Sequence, residues 1–204
     1  MSETSKISKP RQKRAEITRE KIIQAGMKLF FRDGYYNTSS KKIAKEAKIA
    51  IGSFYNHFID KKALLIEVIQ RHMQEIHDVV FDGFKNVNLR EMHGNQFVKF
   101  IIQQSIGAHN FTPEFHREID KLAYIDDDIH KLHAIEKERI IGLFVSLLEE
   151  RKAELRVTDI RAASTVVVTA VEETIHQFVL FESSIEKDRI LTELSDMIFR
   201  YLYK

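Results

Sequence analysis

Residues 51–65 read IGSFYNHFIDKKALL and place aromatic, amide, imidazole and lysine side chains in and just after one short predicted helix. On a wheel of 100° per residue, one side of that helix is apolar: Ile51, Phe54 and Phe58. The opposite side is small or polar, with Tyr55 at its margin: Gly52, Ser53, Asn56 and His57. We interpret the phenylalanines as anchors to a core, which leaves the polar side free for a bulky partner.

Two predicted helices precede this one. Apolar residues at a period of 3.6 predict a helix over 15–32, and Asp33-Gly34 ends it because glycine tolerates the left-handed conformation of a C-cap. A second helix is predicted over 39–47, capped by Asn37 or Thr38. A tight turn at 48–50 leads into the third helix, predicted over 51–58. Three helices in this order are typical of a helix-turn-helix unit.

The polar side of the third helix suits the major groove of DNA. Asn56 can read base edges, whereas Tyr55, His57 and Lys61 can donate to phosphate oxygens. Residues 1–62 contain 15 Lys/Arg and 6 Asp/Glu, a net charge of +9, while the other 142 residues contain 17 and 24, a net charge of −7. This asymmetry predicts that one end of the chain meets a polyanion. The alternative is a solvated basic surface without a partner.

Composition excludes several classes of protein. The 204 residues include no cysteine, which excludes disulfides, thiolate metal sites and a cysteine nucleophile. No apolar run approaches the roughly 20 residues of a membrane-spanning helix, and the polar N-terminus lacks the apolar core of a secretory signal. We therefore expect a cytoplasmic protein that does not enter the membrane.

The remainder of the chain is predicted to be helical. Asp60 is the expected N-cap of a long helix over 61–85, and further helices are predicted over 89–110, 113–125, 127–153, 158–182 and 186–203. The predicted fold is all-α with about nine helices. It divides into a disordered basic arm (1–14), a helix-turn-helix domain (15–60) and a larger helical domain (61–204).

Residues 34–65, GYYNTSSKKIAKEAKIAIGSFYNHFIDKKALL, resemble the DNA-binding signature of the tetracycline-repressor (TetR) family of bacterial transcriptional regulators. Three positions depart from that signature. Lys48 stands where the turn usually has glycine, Ala50 replaces a serine cap, and Ile51 occupies a position that is often polar or basic. These departures leave open whether DNA recognition is weakened or redirected, or whether the lysine carries backbone strain.

The resemblance implies a role for each matching position. The hydroxyls of Thr38 and Ser39 would touch phosphates, Gly52 would let the backbone approach the bases, and Lys61 would help to clamp the DNA backbone. The complete set predicted to contact DNA is Thr38, Ser39, Ser40, Ala50, Ile51, Gly52, Ser53, Tyr55, Asn56, His57 and Lys61.

The resemblance also implies that the domain over 61–204 binds a small-molecule inducer and forms a homodimer through the last two long helices. Ligand contacts are predicted from aromatic and polar residues of the middle helices: Phe100, Gln103, His109, Phe111, Tyr124, Phe144, His176 and Phe178. Dimer contacts are predicted from apolar residues of the last two helices: Val167, Val171, Phe178, Ile190, Leu194 and Ile198. Plain core packing is the alternative for both sets.

No metal or other cofactor is predicted. The histidine pairs His72/His77 and His130/His133 lack the three or four convergent ligands that zinc needs. An enzyme is not expected, since the chain has no phosphate-binding glycine loop and no nucleophile elbow. The leading hypothesis is a ligand-responsive transcriptional regulator that binds double-stranded operator DNA as a repressor and is released from it by a small molecule. The alternative is a small-molecule binding or interaction module whose helix-turn-helix no longer functions.

Overall fold

A computed structural model describes residues 10–85, 87–109, 113–179 and 185–204 of the chain. Within these ranges the protein forms nine α-helices and no β-strand, which confirms the predicted all-α fold. The α-helices are α1 Pro10–Asp33, α2 Ser40–Glu46, α3 Ile51–Tyr55, α4 Lys61–Lys85, α5 Gly94–His109, α6 Pro113–Ala123, α7 Asp127–Glu149, α8 Ile160–Val179 and α9 Lys187–Leu202. Two single 3-10 turns, Leu89–Glu91 and Lys152–Glu154, precede α5 and follow α7.

Helix boundaries differ from prediction mainly at the ends. Helix α1 begins at Pro10, so residues 10–14 of the predicted disordered arm are helical, and residues 1–9 lie outside the described residues. Helix α3 is shorter than predicted because it ends at Tyr55 rather than at 58. Helix α4 has the predicted limits, and the Asp60 carboxylate caps it by accepting a hydrogen bond from the Ala63 amide at 2.8 Å.

The chain divides into two compact units, one ending at Arg71 and one beginning at His72. The predicted domain boundary at 60/61 lies eleven residues before this division at 71/72. Buried apolar side chains from α1, α2, α3, the turn after α3 and the first half of α4 form the core of the first unit: Ile22, Ile23, Leu29, Phe30, Ile43, Phe54, Phe58, Leu64, Leu65, Val68 and Ile69.

Close packing and ion pairs join α1 to the first half of α4. A Cβ at Gly26 would lie 2.7 Å from Leu64 Cδ2, so glycine is what lets the two helices approach this closely. Arg19 donates to both carboxylate oxygens of Glu67 at 3.1 and 2.9 Å. Arg71 donates to Glu20 at 2.6 Å and to Glu67 at 3.2 Å. These contacts fix the scaffold on which α2 and α3 are held.

The second unit packs α5, α6, α7, α8 and α9 around a separate core. Phe97 and Phe144 stack within it at 6.4 Å between ring centroids. Arg151 is only 5% exposed and donates to the Leu89 carbonyl at 2.6 Å and to the Met92 carbonyl. Its guanidinium also lies 4.7 Å from the centroid of Phe97, so this one cation ties the 3-10 turn before α5 to the core.

Most residues predicted at a dimer interface face the interior of this unit. Four of them are at most 6% exposed: Val167, Val171, Leu194 and Ile198. Ile190 and Phe178 are half-buried, and Phe178 packs against the same core. The prediction was therefore wrong for the four buried residues, because the apolar stripe that identified them serves the subunit's own core. Helices α8 and α9 instead expose Val166, Met197 and Tyr201, at 56%, 53% and 41%.

In the part of the chain that the structure describes, no helix is both long and apolar enough to span a membrane.

Candidate nucleic-acid interface and ligand cavity

The segment before α2 is held in place by buried hydrogen bonds. Gly34 has a φ of 76° and its amide donates to the Phe30 carbonyl at 3.0 Å, which ends α1 as predicted. Thr38 is 1% exposed, and its hydroxyl donates to the Gly34 carbonyl at 2.8 Å. Thr38 therefore supports the turn from inside and does not offer its hydroxyl to a phosphate, contrary to prediction. The exposed Ser39 is the true N-cap of α2, since its hydroxyl accepts from the Lys42 amide.

Lys61 also binds the segment before α2. Its ammonium donates to the carbonyls of Tyr35 at 2.8 Å and Thr38 at 2.9 Å, and it lies 4.1 Å from the centroid of the Tyr35 ring. Burial lowers the pKa of Lys61 below its ordinary value. The predicted role of Lys61 as a direct clamp on DNA is therefore replaced by a role in positioning the start of α2.

The turn between α2 and α3 is tight and left-handed at Lys48, whose φ is 56°. The Ile49 amide reaches back to the Ala44 carbonyl at 3.0 Å, as a turn of this kind requires. Since glycine adopts this conformation without steric cost and lysine does not, Lys48 carries backbone strain of about 1–2 kcal/mol. Ala50 is the N-cap of α3 and makes no side-chain capping bond. Of the two departures from the family signature, Lys48 therefore brings backbone strain and Ala50 leaves α3 without a side-chain cap.

Helix α3 is anchored on one side and exposed on the other. Phe54 is fully buried and Phe58, in the turn after the helix, is 5% exposed, with 6.0 Å between the two ring centroids. Ile51, which the helical wheel placed with these residues, is instead 42% exposed. The other residues predicted on the DNA-facing side are exposed or half-buried: Ser40, Ala50, Gly52, Ser53, Tyr55, Asn56 and His57.

Gly52 lies on this exposed side of α3, with open space where a side chain would be. A Cβ built on it would meet no protein atom within 4 Å, and its φ does not lie in the positive region. Neither packing nor backbone conformation within the protein therefore requires glycine here, although glycine weakens a helix relative to alanine. The exposed Tyr55, 55% accessible, lies one helical turn from it.

Sequence reasoning missed Tyr36, which lies in the segment before α2 and is 67% exposed. Its ring meets the Tyr35 ring edge-on at 5.4 Å, so the Lys61–Tyr35 contact also supports this second, exposed aromatic side chain. The sequence signal that could have identified Tyr36 is the pair of adjacent tyrosines shortly before the N-cap Ser39.

A cavity of about 210 Å³ lies inside the second unit. Apolar side chains from α4, α5, α7 and α8 form most of its wall, including Met73, Ile76, Leu147 and Val168. Charged and polar side chains of the same wall are His72, His77, Gln104, Ser105, His116, Asp120, His133, Glu136, Lys137 and Glu172. Burial raises the pKa of Asp120, while nearby His176 and His133 oppose that rise.

The predicted ligand contacts agree only in part with this cavity. Phe144 lines it, and His176 contacts His116 of the lining at 3.1 Å between Nε2 atoms. Phe100 packs edge-on against Phe84, another lining residue, at 5.4 Å. Gln103 is exposed while its neighbour Gln104 lines the wall, and Tyr124 is 89% exposed.

Of the other three predicted ligand contacts, the structure describes the side chain of one. Phe178 packs towards α9, with the Lys187 ammonium 5.1 Å from its ring centroid. Phe111 and the side chain of His109 lie outside the described residues. The prediction was wrong for Gln103 on α5 and for Tyr124 in the turn after α6, because an amide or an aromatic side chain does not by itself indicate whether it faces inwards.

The helix-turn-helix and the helical second unit can be compared with known proteins. The family model described as bacterial regulatory proteins of the tetR family matches residues 22–68, and the model of a tetracyclin repressor-like C-terminal domain matches residues 95–202. The chain belongs to the TetR family. The resemblance seen in the sequence is thereby confirmed, and this TetR-family chain is a helix-turn-helix transcriptional regulator rather than an enzyme.

Similar regulators occur in Staphylococcus aureus and Bacillus subtilis. The TetR-family chain is 32% identical over 139 residues to an HTH-type transcriptional regulator of Staphylococcus aureus strain MRSA252, an alignment that covers 58% of this chain and 74% of that protein. It is 38% identical over 69 residues to the uncharacterised HTH-type regulator YuxN of Bacillus subtilis, covering 34% of this chain and 22% of YuxN. The second alignment thus spans less than a quarter of its relative.

Solved structures share the fold at low sequence identity. A Mesorhizobium loti protein assigned to the TetR family superposes with a TM-score of 0.75 at 17% identity, covering 94% of this chain and 99% of the other. A regulator from Saccharomonospora viridis, solved in complex with choline, gives 0.73 at 15% identity, with 93% and 99% covered. At these identities the likeness establishes the TetR-family fold.

Proposed function

We propose that this protein is a transcriptional repressor that binds operator DNA as a homodimer and releases it when a small molecule occupies the cavity of the second unit. It acts in the cytoplasm. The observation that carries DNA binding is the exposed face of α3, on which a Cβ at Gly52 would meet no protein atom and Tyr55 is exposed one helical turn away. A glycine at that point is explained by a partner that approaches the α3 backbone closely, as the floor of a major groove does.

The residues proposed to contact DNA are those whose side chains are exposed or partly exposed on α3 and at the start of α2. Tyr55 and Asn56 extend from the exposed side of α3, and Ser39 and Ser40 lie at the start of α2. Hydroxyls and helix-terminal amides there can donate to phosphates, while Asn56 can read a base edge. Ile51, exposed on the same helix, offers an apolar contact suited to a thymine methyl group.

An electrophoretic mobility shift with DNA from upstream of the protein's own gene tests this directly. We expect retardation with an affinity that falls steeply as salt rises, because phosphate neutralisation releases counterions. Tyr55→Phe should weaken binding of all sequences, whereas Asn56→Ala should change which sequence is preferred. Tyr124→Phe, at a still more exposed tyrosine of the second unit, is the control. Absence of retardation at low salt would favour the alternative, a binding module with a non-functional helix-turn-helix.

The dimer contact is proposed at the exposed apolar residues of α8 and α9. Val166, Met197 and Tyr201 are large side chains left in solvent on helices whose other faces form the core. A homodimer has two α3 helices, and two such helices reach successive major grooves when they lie about 34–36 Å apart. Light scattering coupled to gel filtration should show a dimer that Met197→Arg dissociates. Ile135→Arg, at a 66% exposed isoleucine of α7, should leave the mass unchanged.

Helix α4 offers the route from ligand to DNA. It lines the cavity with His72, Met73 and Ile76, and its first residue, Lys61, holds the start of α2 through the Tyr35 and Thr38 carbonyls. A ligand that shifts α4 would thereby change how α2 and α3 are presented. If the ligand weakens operator binding about a hundredfold, it must favour the released conformer by about 2.7 kcal/mol.

The largely apolar wall fits a small, mainly apolar molecule. The neutral dye N-phenyl-1-naphthylamine is a suitable probe, since its fluorescence rises in apolar surroundings. We expect the dye to bind and to reduce retardation of operator DNA. Val168→Trp should fill the cavity and abolish dye binding, whereas Ile135→Trp on the exposed side of α7 should not. Equal dye binding by both variants would place the ligand site elsewhere.

A further inference from the structure

Two helices of the second unit bring three metal-ligand side chains together. His116 and Asp120 are four residues apart on α6 and so share one face of that helix. His176 of α8 meets them there, with its Nε2 atom 3.1 Å from the Nε2 atom of His116. One donor atom from each of the three residues lies within 4.8 Å of the donors from the other two.

The separations resemble those around one bound ion. In a tetrahedral zinc site with ligand bonds of about 2.0–2.1 Å, neighbouring nitrogen donors are about 3.3 Å apart. The two imidazole nitrogens, at 3.1 Å, are already close to that spacing. Asp120 Oδ2 lies 3.8 Å from His116 Nε2 and 3.9 Å from His176 Nδ1. The 3.9 Å distance is to Nδ1 of His176 and not to the Nε2 atom that faces His116, so the carboxylate must move towards the two Nε2 atoms to complete three sides of the tetrahedron.

Surrounding groups supply the features of an outer shell. His176 is 8% exposed, so its ring is fixed by packing. His133 Nε2 lies 3.6 Å from Asp120 Oδ1 and 3.9 Å from Glu172 Oε1, and Lys137 pairs with Glu172 at 2.8 Å. Groups of this kind orient ligating carboxylates and tune the affinity of a metal site.

We propose that His116, Asp120 and His176 bind one Zn²⁺ ion and leave its fourth coordination position open to the cavity, which His116 and Asp120 line. Two imidazole nitrogens and one carboxylate oxygen favour zinc and its transition-metal neighbours over Mg²⁺ and Ca²⁺, which prefer oxygen ligands alone. The ion would cross-link α6 to α8. The site depends only on residues of the second unit and does not require that the protein binds DNA.

Cobalt titration of the full-length, untagged protein tests the site after treatment with a chelator. We expect one Co²⁺ per chain, with the intense visible absorption of four-coordinate cobalt, and its stoichiometric displacement by Zn²⁺. His116→Gln, Asp120→Asn and His176→Gln should each weaken Zn²⁺ binding by more than about 100-fold, the upper end of what loss of an outer-shell group costs. His133→Gln should weaken it by about 10–100-fold.

The control is His130→Gln, an exposed histidine on the neighbouring helix α7. It should bind cobalt with unchanged affinity and spectrum. Circular dichroism of each variant separates loss of a ligand from loss of the fold, and Asp120→Asn, which keeps the side-chain shape, serves where a histidine variant does not fold. Absence of stoichiometric cobalt, a six-coordinate spectrum, or binding that the three ligand variants leave intact would overturn the proposal and leave the His116–His176 contact as a hydrogen bond.

Discussion

The Lys61 ammonium lies 2.8 Å from the Tyr35 carbonyl oxygen and 4.1 Å from the centroid of the same residue's ring. One cation at the first residue of α4 thus holds both the backbone and the side chain of the segment that leads into α2. The resemblance to the family implied that Lys61 contacts a DNA phosphate. Its ammonium instead donates to backbone carbonyls of the protein itself.

Lys61→Met should therefore act on DNA binding indirectly. Loss of hydrogen bonds from a charged group to two carbonyls is expected to destabilise the first unit by about 1.5–3 kcal/mol and to weaken operator binding. The dependence of log affinity on log salt should keep its slope, because the ammonium does not neutralise a phosphate. Urea denaturation and gel shifts at several salt concentrations measure both. A slope reduced by about one would show that Lys61 contacts the DNA backbone after all.

Gly52→Ala should separate stability from binding. Alanine is better than glycine in a helix by about 0.5–1 kcal/mol, and the new methyl group meets no protein atom, so thermal stability should rise. Operator affinity should fall because the methyl group enters the space that a base edge needs.

Gly142→Ala on α7 is the matched control for this substitution, since its Cβ also meets nothing within 4 Å. It should give a similar gain in stability with unchanged affinity. Unchanged operator binding by Gly52→Ala would remove the observation on which the proposed interface depends.

Lys48→Gly should stabilise the protein. Lys48 adopts a φ of 56°, which costs an L-residue about 1–2 kcal/mol and costs glycine almost nothing beyond its extra chain entropy. We expect a net gain of about 0.5–1 kcal/mol in the free energy of unfolding, measured by urea denaturation. Lys45→Gly, in the regular part of α2, should instead destabilise by about 1 kcal/mol. If both substitutions destabilise equally, the turn is not left-handed in solution.

Local signals in the sequence predicted the fold well. The limits of α4 are correct to the residue because the signals that set them are local in the sequence: a capping carboxylate at Asp60 and a regular apolar period after it. The anchoring of α3 by Phe54 and Phe58 is correct for the same reason. An apolar stripe, however, does not say which core it serves, and so Val167 and Ile198 were assigned to a partner chain although they are buried within their own unit.

Contacts between distant residues were beyond sequence reasoning. Lys61 meets carbonyls 23 and 26 residues earlier, and backbone acceptors leave no trace in the sequence. His116 and His176 are 60 residues apart, and only the packing of α6 and α8 in the second unit brings them to one point. The histidine pairs that sequence spacing did single out, such as His130 and His133, turn out to lie in unlike surroundings, one exposed and one near Asp120.

Buried His72 should make the protein sensitive to acid. It is 2% exposed on α4, its ring lies edge-on to Phe115 at 5.3 Å, and burial lowers its pKa from 6.5 to about 4. Because the folded pKa lies below the unfolded one, the stability that neutral His72 allows is present above pH 6.5 and is lost as the pH falls towards 4. Between pH 7.5 and pH 5 the loss of unfolding free energy attributable to this residue is about 2 kcal/mol.

His72→Leu should remove that part of the pH dependence. The free energies of unfolding of wild type and variant, measured by urea denaturation in the presence of chelator, should therefore diverge by this amount between the two pH values. His130→Leu, at an exposed histidine, should run parallel to wild type. Parallel curves for His72→Leu as well would mean that His72 is solvated or charged in the folded protein, contrary to its burial here.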